Sequence, residues 1–332
     1  MRRQSPMALI SAACIFAGLA QSARAAPVGS CAIQDLMPAY FAFEDQTRSL
    51  SPSRRADLFV TQFAPSHPEF FAREAFGDKE KLRKKSLRLL DPSTPEQFSG
   101  FPPLTNGRLH AVAAAAIFQF NQAEAKLKTT FTDFGCDASV GFGPSFLSFD
   151  GHGYEGVDGR QYMLFGVDTI AALHGPKDMP TFFSHEAFHV YHEHVLSAQI
   201  PKDDAVVWWA LWEEGLATYV SQRLNPGLTS HQVLWFPADM VAQMETAGLF
   251  ARAAGLLLRD FDKAGEAHAH WFTGGNAVPG LPARAGCYMG YRFAASLGKD
   301  HSLAWLAHLP PGQVKQCANA FLEASAKNAS AQ

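Results

Sequence analysis

Apolar positions recur at helical spacing over most of this chain and at strand spacing over one short part of it. From Ser53 to Pro68, and again from Asp78 to Leu90, they return every three or four residues, which predicts helices. The second run, DKEKLRKKSLRLLDP, offers Leu82, Leu87, Leu89 and Leu90 to a core and stops at Asp91-Pro92. Its Lys and Arg residues fall on the remaining face, where solvation is the expected role. A Pro-rich link, STPEQFSGFPP (93–103), precedes a long Ala-rich helix from about Thr105 to Phe131. After Cys136 the texture changes: two β-rich runs, near 144–149 and 161–167, flank a Gly-rich connection. Asp150, Glu155 and Asp158 in that connection lack the spacing of a calcium loop, so a mobile hairpin turn is expected. Helical spacing then returns over 181–197, 205–223, 231–259, 284–297 and 313–326. The pattern predicts an α+β fold, predominantly helical. A helical region at 26–137 precedes a region at 138–332 with a small sheet.

The first 25 residues stand outside that fold. Arg2 and Arg3 form a basic start, Met7–Ala20 is apolar, and Ala23-Arg24-Ala25 supplies an A-x-A cleavage signal, so a signal peptide cut after Ala25 is expected. The apolar stretch is too short to span a bilayer and no later one is long enough, so no stable membrane insertion is expected. The expected location is secreted or periplasmic. Losing Arg2, Arg3 and Arg24 moves the formal charge from −3 to −6. There is no basic excess to hold nucleic acid. Cys31, Cys136, Cys287 and Cys317 remain, an even number for an oxidising compartment, and sequence proximity favours Cys31–Cys136 and Cys287–Cys317 as disulfides.

Candidate chemistry centres on FFSHEAFHVYHEH (182–194), which contains His185-Glu186-Ala187-Phe188-His189, an H-E-x-x-H. Residues four apart share a helix face, so two imidazoles can converge on one tetrahedral Zn²⁺. Glu186 points beside the metal, placed to act as the base toward a zinc-activated water. Thr181 or Ser184 is expected to open this helix, and Phe182, Phe183, Phe188 and Val190 to pack it. The metzincin pattern fails, because His192 stands where Gly is needed and Val195 where the third His is needed. His192 itself lies a turn too far along for the same ion. A catalytic zinc needs a third protein ligand. WWALWEEGLATYVSQRL (208–224) offers adjacent Glu213 and Glu214 on a second helix. Glu214 is preferred, because Gly215 would let that helix approach closely, and Thr218 is placed to hydrogen-bond an imidazole.

H-E-x-x-H followed by W-x-E-G-x-A-x-Y resembles the gluzincin zinc metallopeptidases. The string GCYMGYRFAASL (286–297) is similar to the Gly-Tyr-rich box of a family of predicted Zn-dependent proteases of unknown function. The likeness covers roughly 160–300. It implies a zincin-like catalytic domain with a small sheet, an active-site helix and a glutamate helix. It also implies one catalytic Zn²⁺ on His185, His189 and Glu214, with Glu186 as base and an oxyanion-stabilising tyrosine at Tyr288 or Tyr291. The family box reads Gly-Tyr-Tyr-x-Gly, and Cys287 replaces one tyrosine here, so both tyrosines stay open. His231, His268, His270 and Arg292 compete for the same role, since any donor opposite the base can serve. The function so implied is an exported, zinc-dependent hydrolase that cleaves peptide bonds in a peptide or protein substrate. The alternative is an exported zinc-binding or scaffold module with the same fold and no turnover. Substrate backbone is expected along an edge strand within 161–167, with 150–160 as a lid.

Overall fold

Among the described residues, strand pairing is confined to one short stretch after Cys136 and one tetrapeptide near the start. The computed structural model describes residues 29–91, 104–175, 177–196, 199–201, 205–274 and 277–327. The signal peptide expected over 1–25 and the Pro-rich link expected over 93–103 lie outside these residues. Two compact units are formed, one from Cys31–Phe118 and Asp137–Lys177, the other from Gln119–Cys136 and Asp178 onward. Cys31 and Cys136 are joined in a disulfide.

The first unit holds β1 (Ala32–Asp35), β2 (Ser139–Gly143), β3 (Gly151–Glu155) and β4 (Gln161–Gly166) in the order β1-β2-β4-β3. β1 and β2, and β2 and β4, pair in parallel, while β3 and β4 form an antiparallel hairpin. β4 is therefore an inner strand with both edges hydrogen-bonded, and the edge-strand role expected for 161–167 is incorrect. The 150–160 stretch is likewise the paired strand β3 plus a turn, so Asp150, Glu155 and Asp158 are not brought together. Asp150 bonds His174 at 2.9 Å, Glu155 accepts from Gln161 at 3.3 Å, and Asp158 accepts from Tyr162 at 3.1 Å.

Helices α1 (Met37–Thr47), α2 (Pro52–Leu58), α3 (Arg73–Phe76), α4 (Lys79–Leu90), the first half of α5 (Asn106–Thr130) and α6 (Val167–Leu173) complete this unit. The helix expected over 53–68 breaks up beyond Leu58 into a π turn and a 3₁₀ turn. That segment supplies Phe59 to a ring cluster, edge-on to Phe146 at 4.8 Å and to Phe71 at 5.1 Å. On α4, Leu82 and Leu90 are buried and Leu87 and Leu89 half-buried. The strand expected at 144–149 does not form. Asp168, buried on α6, accepts the backbone N–H groups of Ser145 and Leu147 at 2.6 Å each, and that curls the segment. Phe146 and Leu147 take left-handed backbone as a result, with φ of 55° and 57°.

The second unit is helical: α7 (Met179–Leu196), α8 (Val207–Leu224), α9 (Ser230–Val233), α10 (Ala238–Met244), α11 (Ala247–Asp260), α12 (Glu266–Phe272), α13 (Ala285–Leu297), α14 (Leu303–Ala307) and α15 (Pro311–Lys327). The single helix expected over 231–259 is three. Pro237 has no N–H to continue a helix and precedes α10, and Thr246 takes extended backbone before α11. Cys287 and Cys317 are free thiols, contrary to the expected second disulfide. Cys287 is buried in the first turn of α13, whereas α13 and α15 meet further along, where Phe293 and Phe321 lie 5.4 Å apart. Among the described residues no helix is long and apolar enough to cross a membrane.

Candidate metal centre

Helices α7 and α8 lie side by side and antiparallel, joined by a polar seam. Ser221 on α8 donates to the Thr181 carbonyl at 2.7 Å, and Asn225 donates to Ser184 at 3.0 Å. Thr181 and Ser184 are thus inside α7, bonded back to Asp178 and Pro180 at 2.7 Å, and neither opens the helix as expected. One turn further along the pair come His185 opposite Thr218, then His189 opposite Glu214, then His192 opposite Trp209. The apolar side of α7 is fixed by Phe131 against Phe188 and Tyr191, at 5.7 and 4.6 Å.

The seam delivers three donor groups to one buried point. His185 Nε2 and His189 Nε2 are 3.0 Å apart, and the two Glu214 oxygens face one ring each, Oε2 at 3.6 Å from His185 Nε2 and Oε1 at 3.6 Å from His189 Nε2. Among the described residues these form the one group of His, Cys, Asp and Glu side chains arranged to hold a metal ion. All three are at most 5% exposed, and Glu186 beside them is 3% exposed. Burial, and then the neighbouring His185, push the His189 pKa down to about 3, so its ring is neutral and available as a ligand. Thr218 Oγ1 stands 3.5 Å from His185 Nδ1, the contact expected of it, and orients that ring. Glu213, next to Glu214, is half-buried and stays outside the cluster.

The C-terminal box serves this centre differently from expectation. A Cβ at Gly215 would lie 2.1 Å from the Gly290 carbonyl carbon, and a Cβ at Gly290 would lie 2.1 Å from the Leu211 oxygen. Gly215 therefore lets α13 close onto α8; it does not bring α8 closer to a metal. Tyr288 accepts from Arg292 at 2.7 Å, and Tyr291 donates to Gln222 at 2.7 Å. Burial raises both phenol pKa values, so both hydroxyls keep their protons. Neither is joined to His185, Glu186, His189 or Glu214 by a hydrogen bond. The α13 residue that feels the Glu214 charge is Cys287, whose thiol burial pushes up to about 11.

The remaining candidates are dispersed. His192 is stacked between Phe188 at 5.2 Å and Trp209 at 6.0 Å, and burial lowers its pKa to about 3. His268 packs on Phe272 at 5.2 Å, His270 faces Glu266 at 3.7 Å, and the His231 carbonyl accepts Phe236 N–H at 2.9 Å. Two residues that sequence reasoning missed border the cluster. Trp235 stands edge-on to His185 at 5.4 Å, and Arg284 is buried against Leu234, Phe236 and Cys287. Both have left-handed backbone, which no periodicity could announce. No family model, no curated protein and no solved structure matches this chain.

Proposed function

We propose that this chain is an exported zinc-dependent peptidase. The observation that carries the reading is the convergence of two imidazole nitrogens and one carboxylate at a single buried point, with Glu186 beside it. Convergent buried donors of this kind are costly unless a proton or cation lies among them. Tetrahedral zinc with bonds near 2.0–2.1 Å places its ligand atoms about 3.3 Å apart. The imidazole nitrogens at 3.0 Å, and each of them at 3.6 Å from a different one of the two Glu214 oxygens, lie on either side of that value. An N₂O set of borderline character suits zinc better than magnesium or calcium, which take oxygen.

When bound, zinc supplies a Lewis acid that acidifies water and polarises a carbonyl. His185, His189 and Glu214 would hold it, with Thr218 Oγ1 beside the His185 ring. Glu186 takes the proton of the attacking water and hands it to the departing amine. A buried carboxylate in this setting is shielded from bulk water, which strengthens both transfers. Export is supported by the A-x-A segment at the start of the chain and by the Cys31–Cys136 disulfide, which fits an oxidising compartment.

The test is cleavage of a peptide library by the zinc-loaded protein and by Glu186→Gln. Cleavage abolished in the variant with zinc retained supports the peptidase reading. One observation favours the non-catalytic alternative: the Tyr288 and Tyr291 hydroxyls are engaged by Arg292 and Gln222. Stoichiometric zinc with no cleavage of any library member by the wild type would select that alternative.

A further inference from the structure

Two of the four non-glycine residues with positive φ among the described residues are Trp235 (52°), whose ring meets His185 at 5.4 Å, and Arg284 (59°), which contacts the segment around Trp235. Such backbone costs about 1–3 kcal/mol per residue and persists only where the surroundings impose it. Here the restraints are explicit. Leu234 and Phe236 are buried at 1% and 6% exposure, and this turns the intervening Trp235 the other way. Arg284, 7% exposed, donates to the Leu234 carbonyl at 3.5 Å and lies over the Phe236 ring at 5.1 Å. It therefore grips the chain on both sides of Trp235. The Trp235 ring meets Phe182 at 5.9 Å and His185 at 5.4 Å, and its N–H is bonded to Thr181 Oγ1 at 3.3 Å. Trp235 is half-buried, and the polar edge of its ring is bonded.

We propose that Trp235 is the wall of a substrate subsite that takes an apolar side chain flanking the scissile peptide bond, and that Arg284 is the positioning residue that holds this wall against His185. This rests on the peptidase reading. An apolar occupant follows from the bonded indole N–H, since a polar side chain placed on the ring would lose water and gain no partner. The contacts of Arg284 with Leu234 and Phe236, on either side of Trp235, are the route by which it acts on the subsite.

The test compares kcat/KM for paired peptides that differ only in Phe or Gly at the residue flanking the cleaved bond. Burying an aromatic side chain is worth enough to give a preference of about tenfold or more for Phe in the wild type. Trp235→Ala is expected to erase that preference and Trp235→Phe to keep most of it, with zinc stoichiometry retained in both. Arg284→Gln should lower the preference, and Arg284→Lys, which keeps a cation for Phe236, should restore part of it. A second readout does not need turnover: zinc-loaded Glu186→Gln is titrated with the Phe peptide while tryptophan emission is followed. The emission change should vanish when Trp235→Phe is added. Cleavage by the wild type with an unchanged preference in Trp235→Ala overturns the subsite and leaves the peptidase reading standing. A Trp235-dependent emission change with no cleavage by the wild type supports the subsite and overturns the peptidase reading. Neither cleavage nor emission change overturns both.

Discussion

Replacing Gly215 with alanine places a methyl group where α8 and α13 touch backbone to backbone. The new Cβ would stand 2.1 Å from the Gly290 carbonyl carbon, 2.3 Å from its oxygen and 2.5 Å from its Cα. Ordinary contact begins near 3.4 Å, so the helices must part by somewhat more than ~1 Å. No rotamer change can relieve this, because all the neighbours are backbone. Overpacking of a tight core costs about 1–3 kcal/mol, and this site belongs at the upper end. Alanine's helix preference over glycine offsets about 1 kcal/mol, leaving a net loss of roughly 2 kcal/mol. The assay is urea denaturation followed by tryptophan emission, where the midpoint should fall by about 0.5–1 M. Because Glu214 immediately precedes Gly215, zinc affinity should fall with it. Gly255→Ala on α11 is the control: nothing lies within 4 Å of its Cβ, so its midpoint should be unchanged or raised. A Gly215→Ala protein that unfolds at the wild-type midpoint would refute the close crossing.

Thr218→Val removes the 3.5 Å contact to His185 Nδ1, and zinc affinity measured against a competing chelator should drop about tenfold; unchanged affinity would show that the contact does not orient the ring. Burial, with the Lys85 charge adding to it, lowers the His152 pKa from 6.5 to about 4. The unfolded chain therefore takes up this proton first. The stability His152 contributes is fully present above about pH 6.5 and is lost as pH falls toward 4, by at most about 1.4 kcal/mol per unit. His152→Gln should accordingly gain on the wild type in urea midpoint between pH 7 and 4.5, and parallel profiles would contradict this. In the chain processed after Ala25, a thiol reagent should label half-buried Cys317 in the native protein and both Cys287 and Cys317 in denaturant. Finding no free thiol in denaturant would mean that these two are paired after all. Reducing Cys31–Cys136 should cost roughly 4–5 kcal/mol, read as a fall in unfolding midpoint.

The ligand cluster was legible because its geometry is helical and local. H-E-x-x-H fixes two nitrogens on one face of α7 whatever surrounds it, and Glu214 and Thr218 repeat that spacing on α8. What escaped depends on contacts between segments distant in sequence. The 144–149 run has strand composition, yet a carboxylate from Asp168 outcompetes any partner strand for its N–H groups. The strand within 161–167 is legible in its β-rich composition, but composition does not say whether a strand is inner or edge. Gly215 was noticed for the right property, close approach, and assigned the wrong neighbour, because Gly290 lies on a helix some 75 residues later. Tyr288 and Tyr291 came from resemblance to a short box, and their hydroxyls are engaged by Arg292 within that string and Gln222 outside it. Trp235 and Arg284 carry no motif, since a left-handed backbone at a non-glycine residue is imposed from outside the segment.

The central claim is that His185, His189 and Glu214 hold one zinc ion. Its most direct test is the metal content of purified protein dialysed against trace zinc, for wild type beside His185→Ala, Glu214→Ala and Glu213→Ala. The account predicts one zinc per chain in the wild type and in Glu213→Ala, and none retained in His185→Ala or Glu214→Ala. A wild type that takes up no zinc and gains no thermal stability from it, or loss of zinc in Glu213→Ala with retention in Glu214→Ala, would contradict it.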